Sequence, residues 1–234
     1  MQPPTVVKYP PFVVVRDDLV FGGTKERALL KWLPNIKHKV LVYASPAHGY
    51  AQLALARACL QFNKKAIIFT AHRRILHDRT LEAQEHGAKV HKVPNGYLTV
   101  VQKAARVWAQ EHGAYLVPFG LDCPEFIKAL VEEVTTTPYM PKEVWCAVGS
   151  GTLCRALQQA WPKATVHAVL VGKKDPNIGN AIRHVYPRPF TSSALDLPPF
   201  PSCPEYDAKA WELMRKAGKP GALFWNVAGR KTGA

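Results

Sequence analysis

The sequence predicts an α/β fold built on open, mostly parallel sheet. Three observations predict it. Short β-branched runs alternate with longer stretches of helical length and pattern. Several of the short runs, among them VLVY, AIIF and VHAVLV, are continuously apolar, as strands covered on both faces are. The 234 residues, 47% of them hydrophobic and 10% aromatic, can bury a proper core in one large or two small domains, which excludes wholesale disorder.

Strands are expected at Phe12–Arg16, Lys39–Tyr43, Lys65–Phe69, Lys89–Val93, Ala114–Pro118, Glu143–Val148, Thr165–Val171 and Ala222–Val227. Helices are expected between them, at Thr24–Trp32, Gly49–Gln61, Arg73–His86, Leu98–His112, Pro124–Val134, Thr152–Trp161 and Tyr206–Ala217. The segment Tyr186–Pro204 breaks the order. Its six prolines forbid regular helix or interior strand, so it reads as a long surface loop or a cover over a cleft.

Thirty-one Lys and Arg against 17 Asp and Glu give a net charge of +14, which points to a polyanionic partner such as a nucleotide or DNA. A solvated basic surface accounts for the same number. No run reaches the roughly eighteen apolar residues of a spanning helix, and the N-terminus lacks the pattern of a secretory signal. The five cysteines are scattered without a CxxC pair, and the nine histidines show no HExxH. A reducing, cytoplasmic compartment is expected, with neither a metal cage nor a disulfide framework.

In open α/β sheets ligands bind beyond the carboxyl ends of the strands, so the turns there carry the chemistry. Gly149-Ser150-Gly151-Thr152 follows the strand EVWCAV and opens a helix. Glycines let backbone amides approach a ligand, the helix end adds partial positive charge, and Ser150 and Thr152 add hydroxyls, which together make a phosphate cradle. A tight turn capped by Thr152 is the bland alternative. A dinucleotide site is a further one, although Cys154 stands where the third glycine of GxGxxG belongs. Gly22-Gly23-Thr24-Lys25 sets a lysine at the mouth of a helix, where the dipole disfavours its charge. A lysine kept partly neutral is a nucleophile towards carbonyls. Ser45-Pro46-Ala47-His48-Gly49 offers a hydroxyl, an imidazole and helix amides to an anion such as a carboxylate.

In this order, these turns resemble the pyridoxal-phosphate enzymes of fold type II, the tryptophan-synthase-β-like group. Within it they resemble the aminocyclopropane-carboxylate deaminase and D-cysteine desulfhydrase branch. The resemblance rests on RDDLVFGGTKER at 16–27, the loop at 45–49, the glycine turn at 149–152, and CPEYDAK at 203–209 followed by ALFWNVAG. It implies two open, mostly parallel sheets with flanking helices in compact form. Residues 1–43 with 119–234 would form a large cofactor domain and 44–118 a small one, with the cofactor in the cleft between them. It implies that Lys25 holds pyridoxal 5'-phosphate, beside Thr24 in place of the usual asparagine. Gly149, Ser150, Gly151 and Thr152 would take its phosphate, Asp207 would lie near the pyridine nitrogen, and Tyr206 would lie against cofactor or substrate. Ser45 and His48 would bind substrate. The activity implied is α-carbon chemistry on an amino-acid-type substrate, a decarboxylase or deaminase type of lyase acting as a homodimer. Combined with the charge, the resemblance extends to viral enzymes that build amino-acid-derived groups onto thymines of DNA. Two alternatives stand beside it: a lyase or deaminase of a free small amino acid, and a catalytically degenerate nucleic-acid-binding subunit.

Overall fold

A computed structural model of the protein describes residues 2–94, 96–172 and 175–229. The strands are β1 (Val6–Tyr9), β2 (Phe12–Arg16), β3 (Val40–Ala44), β4 (Lys65–Ala71), β5 (Lys89–Val93), β6 (Tyr115–Leu116), β7 (Glu143–Val148), β8 (Thr165–Leu170), β9 (Ile182–Val185) and β10 (Leu223–Asn226). The helices are α1 (Gly23–Trp32), α2 (Tyr50–Gln61), α3 (Asp78–Glu85), α4 (Leu98–Glu111), α5 (Pro124–Thr135), α6 (Thr152–Ala160) and α7 (Asp207–Ala217). The chain divides into two compact units, Met1–Arg27 with Pro124–Ala234, and Ala28–Cys123.

The first unit carries a six-stranded sheet in the order β1-β2-β10-β7-β8-β9. All neighbours run parallel except β1, which pairs antiparallel with β2. The middle strands β7 and β10 are buried along their whole length, which is why their sequences are continuous apolar runs without alternation. Trp145, Trp225 and Phe224 are fully buried there. Side chains of this size contribute roughly 1.5–3 kcal/mol each or more on leaving water. Trp211 and Met214 of α7 pack on the same cluster, with Val14 of β2 and Phe200 of the proline-rich segment. That segment has no regular element from Tyr186 to Tyr206, as its prolines dictate.

The second unit carries a four-stranded parallel sheet, β5-β4-β3-β6. Val101, Ala105 and Ala109 recur every fourth residue along α4 and so form one apolar stripe, which packs on Val42, Ile67 and Phe69. α3 is shorter than the sequence suggests. Residues 72–77 stay outside the helix because His77 is extended (φ −72°, ψ 145°) and caps it, Nδ1 accepting the amide of Arg79 at 3.2 Å. Among the described residues no helix is long and apolar enough to cross a membrane.

Candidate functional site

The site in the first unit begins where β2 hands over to α1. Gly23 sits at φ +67°, and a Cβ there would fall 2.3 Å from the carbonyl oxygen of Val227, so only glycine lets the turn lie against the end of β10. Thr24 is fully buried. Its amide donates to Val227 O (3.0 Å), its hydroxyl donates to Asp17 Oδ2 (2.7 Å), and it accepts the indole N–H of Trp225 (2.8 Å). Asp17 in turn is bound by Arg27 at 2.6 Å. The hydroxyl expected beside a cofactor is thus engaged in anchoring the turn that carries Lys25.

Lys25 is half-buried, and its amine titrates below the usual lysine range because of burial, opposed by the charge of Asp207. Asp207 is the first residue of α7 and is buried. Burial pushes its carboxyl up to about 8; the backbones of Val227 and Ala228 and the charge of Lys25 pull the other way. Among the described residues its Oδ1 has no hydrogen-bond partner. A buried carboxyl oxygen left so is costly unless something else occupies the place opposite it. Lys25 and Asp207, nearly a chain-length apart in sequence, therefore face a common electrostatic environment.

Tyr206 precedes Asp207 and reaches the third element of the site. Its hydroxyl donates to Ala147 O at 3.4 Å, and burial, then the charge of Asp207, raises its pKa. A Cβ added to Gly149 would come 3.2 Å from that hydroxyl oxygen. Gly149 opens the turn between β7 and α6. Gly151 caps α6 at φ +91°, and a Cβ there would meet Asn177 O at 1.9 Å. Among the described residues no side chain caps the helix at Gly151. Ser150 Oγ and Thr152 Oγ1 lie 2.9 Å apart at the head of this helix. The backbone amides, the dipole and two hydroxyls converge as an anion site requires.

Ser45 and His48 belong to the second unit, in the turn from β3 to α2. Ser45 is buried and its hydroxyl donates to Pro46 O at 2.9 Å. His48 is half-buried, its ring edge-on to His77 at 4.3 Å between centroids. Sequence reasoning missed His77. The signal was weak, since a histidine seldom caps a helix. It also missed Asp18, whose charge helps raise the Asp207 carboxyl and whose Oδ1 accepts from Arg16 and Asn226. Asp18 stands just past the carboxyl end of β2, which is where the topology directs attention.

No protein-family model matches the chain. The glycyl-dTMP PLP-dependent decarboxylase of Pseudomonas phage M6 is 24% identical over 262 residues, with 93% of this chain and 94% of the phage protein covered. Among solved structures, an ACC deaminase homologue matches with a TM-score of 0.82 at 17% identity, over 98% of this chain and 90% of that one. A threonine deaminase matches with a TM-score of 0.74 at 15% identity, over 100% and 94%. The diaminopropionate ammonia lyase of Escherichia coli gives 0.65 at 14% identity, over 94% and 78%. The chain has the fold of the fold type II pyridoxal-phosphate enzymes.

Proposed function

We propose that the protein is a pyridoxal-phosphate enzyme that removes the carboxylate from an aminoacyl group carried on a thymidine nucleotide. One observation carries the reading: a lysine amine of lowered pKa shares its surroundings with a buried carboxyl, one of whose oxygens lacks a partner, next to a tyrosine seated on a glycine turn at a helix N-terminus. These groups fit the cofactor's three polar ends. The amine suits its aldehyde, the turn at 149–152 its phosphate, and the orphaned Asp207 oxygen its ring nitrogen. The name of the phage M6 relative supports the substrate and the decarboxylation.

When bound, pyridoxal phosphate supplies an electron sink for bonds at the substrate α-carbon. The chain supplies the rest. Thr24 positions Lys25 by fixing its turn to Asp17 and Trp225. Lys25, low in pKa, carries an amine free to attack a carbonyl and afterwards to return a proton at the α-carbon. Asp207 holds a proton up to about pH 8 in the cofactor-free protein, and its unpartnered oxygen would share that proton with the ring nitrogen of a bound cofactor. Tyr206, tied to Ala147, would pack beside the bound cofactor. Ser45 and His48 take the substrate. The net charge of +14 favours a nucleotide or DNA as the carrier of the aminoacyl group. The enzyme works as a homodimer in the cytoplasm, that of the host for a viral protein.

Borohydride reduction of the cofactor-loaded protein, followed by peptide mass mapping, tests the reading. The label is expected on Lys25; a label elsewhere, or none, overturns it. Loaded enzyme given a glycyl-thymidine nucleotide, free or within DNA, is expected to release carbon dioxide. Release of ammonia instead makes it a deaminase. Turnover of free amino acids alone removes the nucleotide from the proposal.

A further inference from the structure

Because β7, β8 and β9 are parallel neighbours, their carboxyl ends share the edge of the sheet that carries the glycine turn. Just past β8 and β9 a cavity of about 360 Å³ opens, lined among others by Leu170, Gly172, Arg183, Val185, Arg188 and Phe190. It adjoins the turn: a Cβ on Gly172 would lie 3.9 Å from both Gly149 Cα and Phe190 Cδ2. The wall is held in place from behind. The buried ammonium of Lys209 donates to the carbonyls of Pro189 (2.8 Å) and Phe190 (3.0 Å) and lies 5.7 Å from the centre of the Phe190 ring. At the rim, the exposed Arg188 uses one nitrogen on Ser193 O (2.9 Å) and has further donors, while Arg183 pairs with exposed Asp175 at 3.2 Å.

We infer that this cavity binds the nucleoside 5'-phosphate portion of the substrate. The inference rests on the proposed function and deepens it. Bases stack on fixed aromatic rings at low cost in specificity, and guanidinium groups hold phosphates in a planar fork. The volume lies within the range of small-ligand sites. An aminoacyl group on the base places the reacting carbon only a few bonds away, so a nucleotide seated beyond Gly172 presents that carbon to the turn next door. Phe190 takes the base, Arg188 the phosphate, and Arg183 joins it when the phosphate displaces Asp175.

Calorimetric titration of the cofactor-loaded protein with dTMP, thymidine, inorganic phosphate and a short oligothymidylate tests this. dTMP is expected to bind, thymidine more weakly, and inorganic phosphate alone not measurably. Arg188→Glu is expected to weaken dTMP at least about tenfold, the loss of a charged hydrogen-bonding partner. Val185→Trp, which fills the cavity from an exposed position, is expected to weaken dTMP and thymidine alike. The visible band of the bound cofactor, retained in both variants, shows that they fold. If the oligonucleotide and not dTMP loses affinity in the variants, the site holds and its nucleotide belongs to DNA. Unchanged affinity of both ligands in both variants overturns the inference, as does binding by neither. A protein that never takes up the cofactor yet binds dTMP in this residue-dependent way refutes the pyridoxal reading and leaves the cavity assignment standing.

Discussion

Replacing Asp207 by asparagine separates what burial does to this carboxyl from what the cofactor asks of it. Burial moves the group from 3.8 to about 8. Its folded pKa is therefore raised, and the sign follows: the folded chain keeps a proton that the unfolded chain has released. Stability of the cofactor-free protein is fully present below the unfolded pKa and is lost as pH rises through the window from about 4 to about 8, by at most ~1.4 kcal/mol per pH unit and about 6 kcal/mol in all. Asparagine has no proton to lose and lacks that slope. Its amide N–H groups, one of them where Oδ1 now lacks a partner, cost about 1–3 kcal/mol at every pH. The two stability curves should thus lie close together near pH 5 and separate towards pH 8, the variant becoming the more stable by a few kcal/mol. For a chain of this length that is a difference in Tm on the order of 10 °C. Thermal unfolding of the two cofactor-free proteins across this range is the assay. The variant is expected to keep the cofactor on Lys25 and to lose turnover. Parallel Tm profiles across the range would show that the carboxyl is not held neutral, and would remove the argument that it protonates the ring.

Three further outcomes are expected. Gly151→Ala forces a Cβ into the Asn177 carbonyl and a left-handed backbone on alanine, so it should cost about 3 kcal/mol or more in denaturant unfolding and weaken cofactor uptake. Lys209→Met leaves the carbonyls of Pro189 and Phe190 without their donor and should cost about 1–3 kcal/mol by the same measurement; an unchanged midpoint would show that the buried ammonium does not hold the segment. His48→Ala should raise KM for the aminoacyl substrate while kcat changes less, and an unchanged KM would remove His48 from substrate binding.

Much of this was legible in the sequence, for physical reasons. β2, β5 and β7 begin and end where their β-branched runs do, because turn formers or charged residues bound each run. β1 was not legible: VVKY is a four-residue edge strand folded back on β2 through Pro10 and Pro11, too short to show a period. Nor was β9, since IRHV is mostly exposed at the sheet's other edge and lacks the apolar run that marks covered strands. The expected strand at 114–118 shrinks to Tyr115–Leu116, where pairing with Leu41 and Val42 ends. The turns at 45–49 and 149–152 were legible because a strand end, a glycine and a helix start coincide in each, and that at 22–25 because two glycines open a helix. The resemblance set Lys25 and Asp207 on one cofactor, but their direct electrostatic coupling was not legible, since it is the pairing of β10 with both β2 and β7 that brings the two ends of the chain together. The buried hydroxyl of Thr24 shows the same limit: sequence says what a side chain can donate, and packing decides to whom.

The proline-rich segment Tyr186–Pro204 has few backbone bonds of its own, among them Ala194 N–H to Pro204 O at 2.8 Å, so side chains of other elements hold much of it in place. α7 does most of it. Glu212 accepts from the Tyr186 hydroxyl (2.8 Å) and the Leu195 amide (3.0 Å), and Lys209 donates to the carbonyls of Pro189 and Phe190. From β10, Asn226 donates to Pro201 O at 2.8 Å and to Asp18 Oδ1 at 2.7 Å. The helix that pins the segment also begins with Asp207, and Asn226 lies next to Val227, whose backbone bonds that carboxyl. Buried polar networks of this kind are costly to half-break, so their members hold position together. One helix and one strand end therefore mount both the wall of the cavity at Phe190 and the carboxyl at Asp207. A shift of the wall is therefore expected to be felt at the carboxyl, and if the substrate is held by its nucleotide while it reacts a few bonds away, as proposed, that shared mounting fixes the distance between recognition and chemistry.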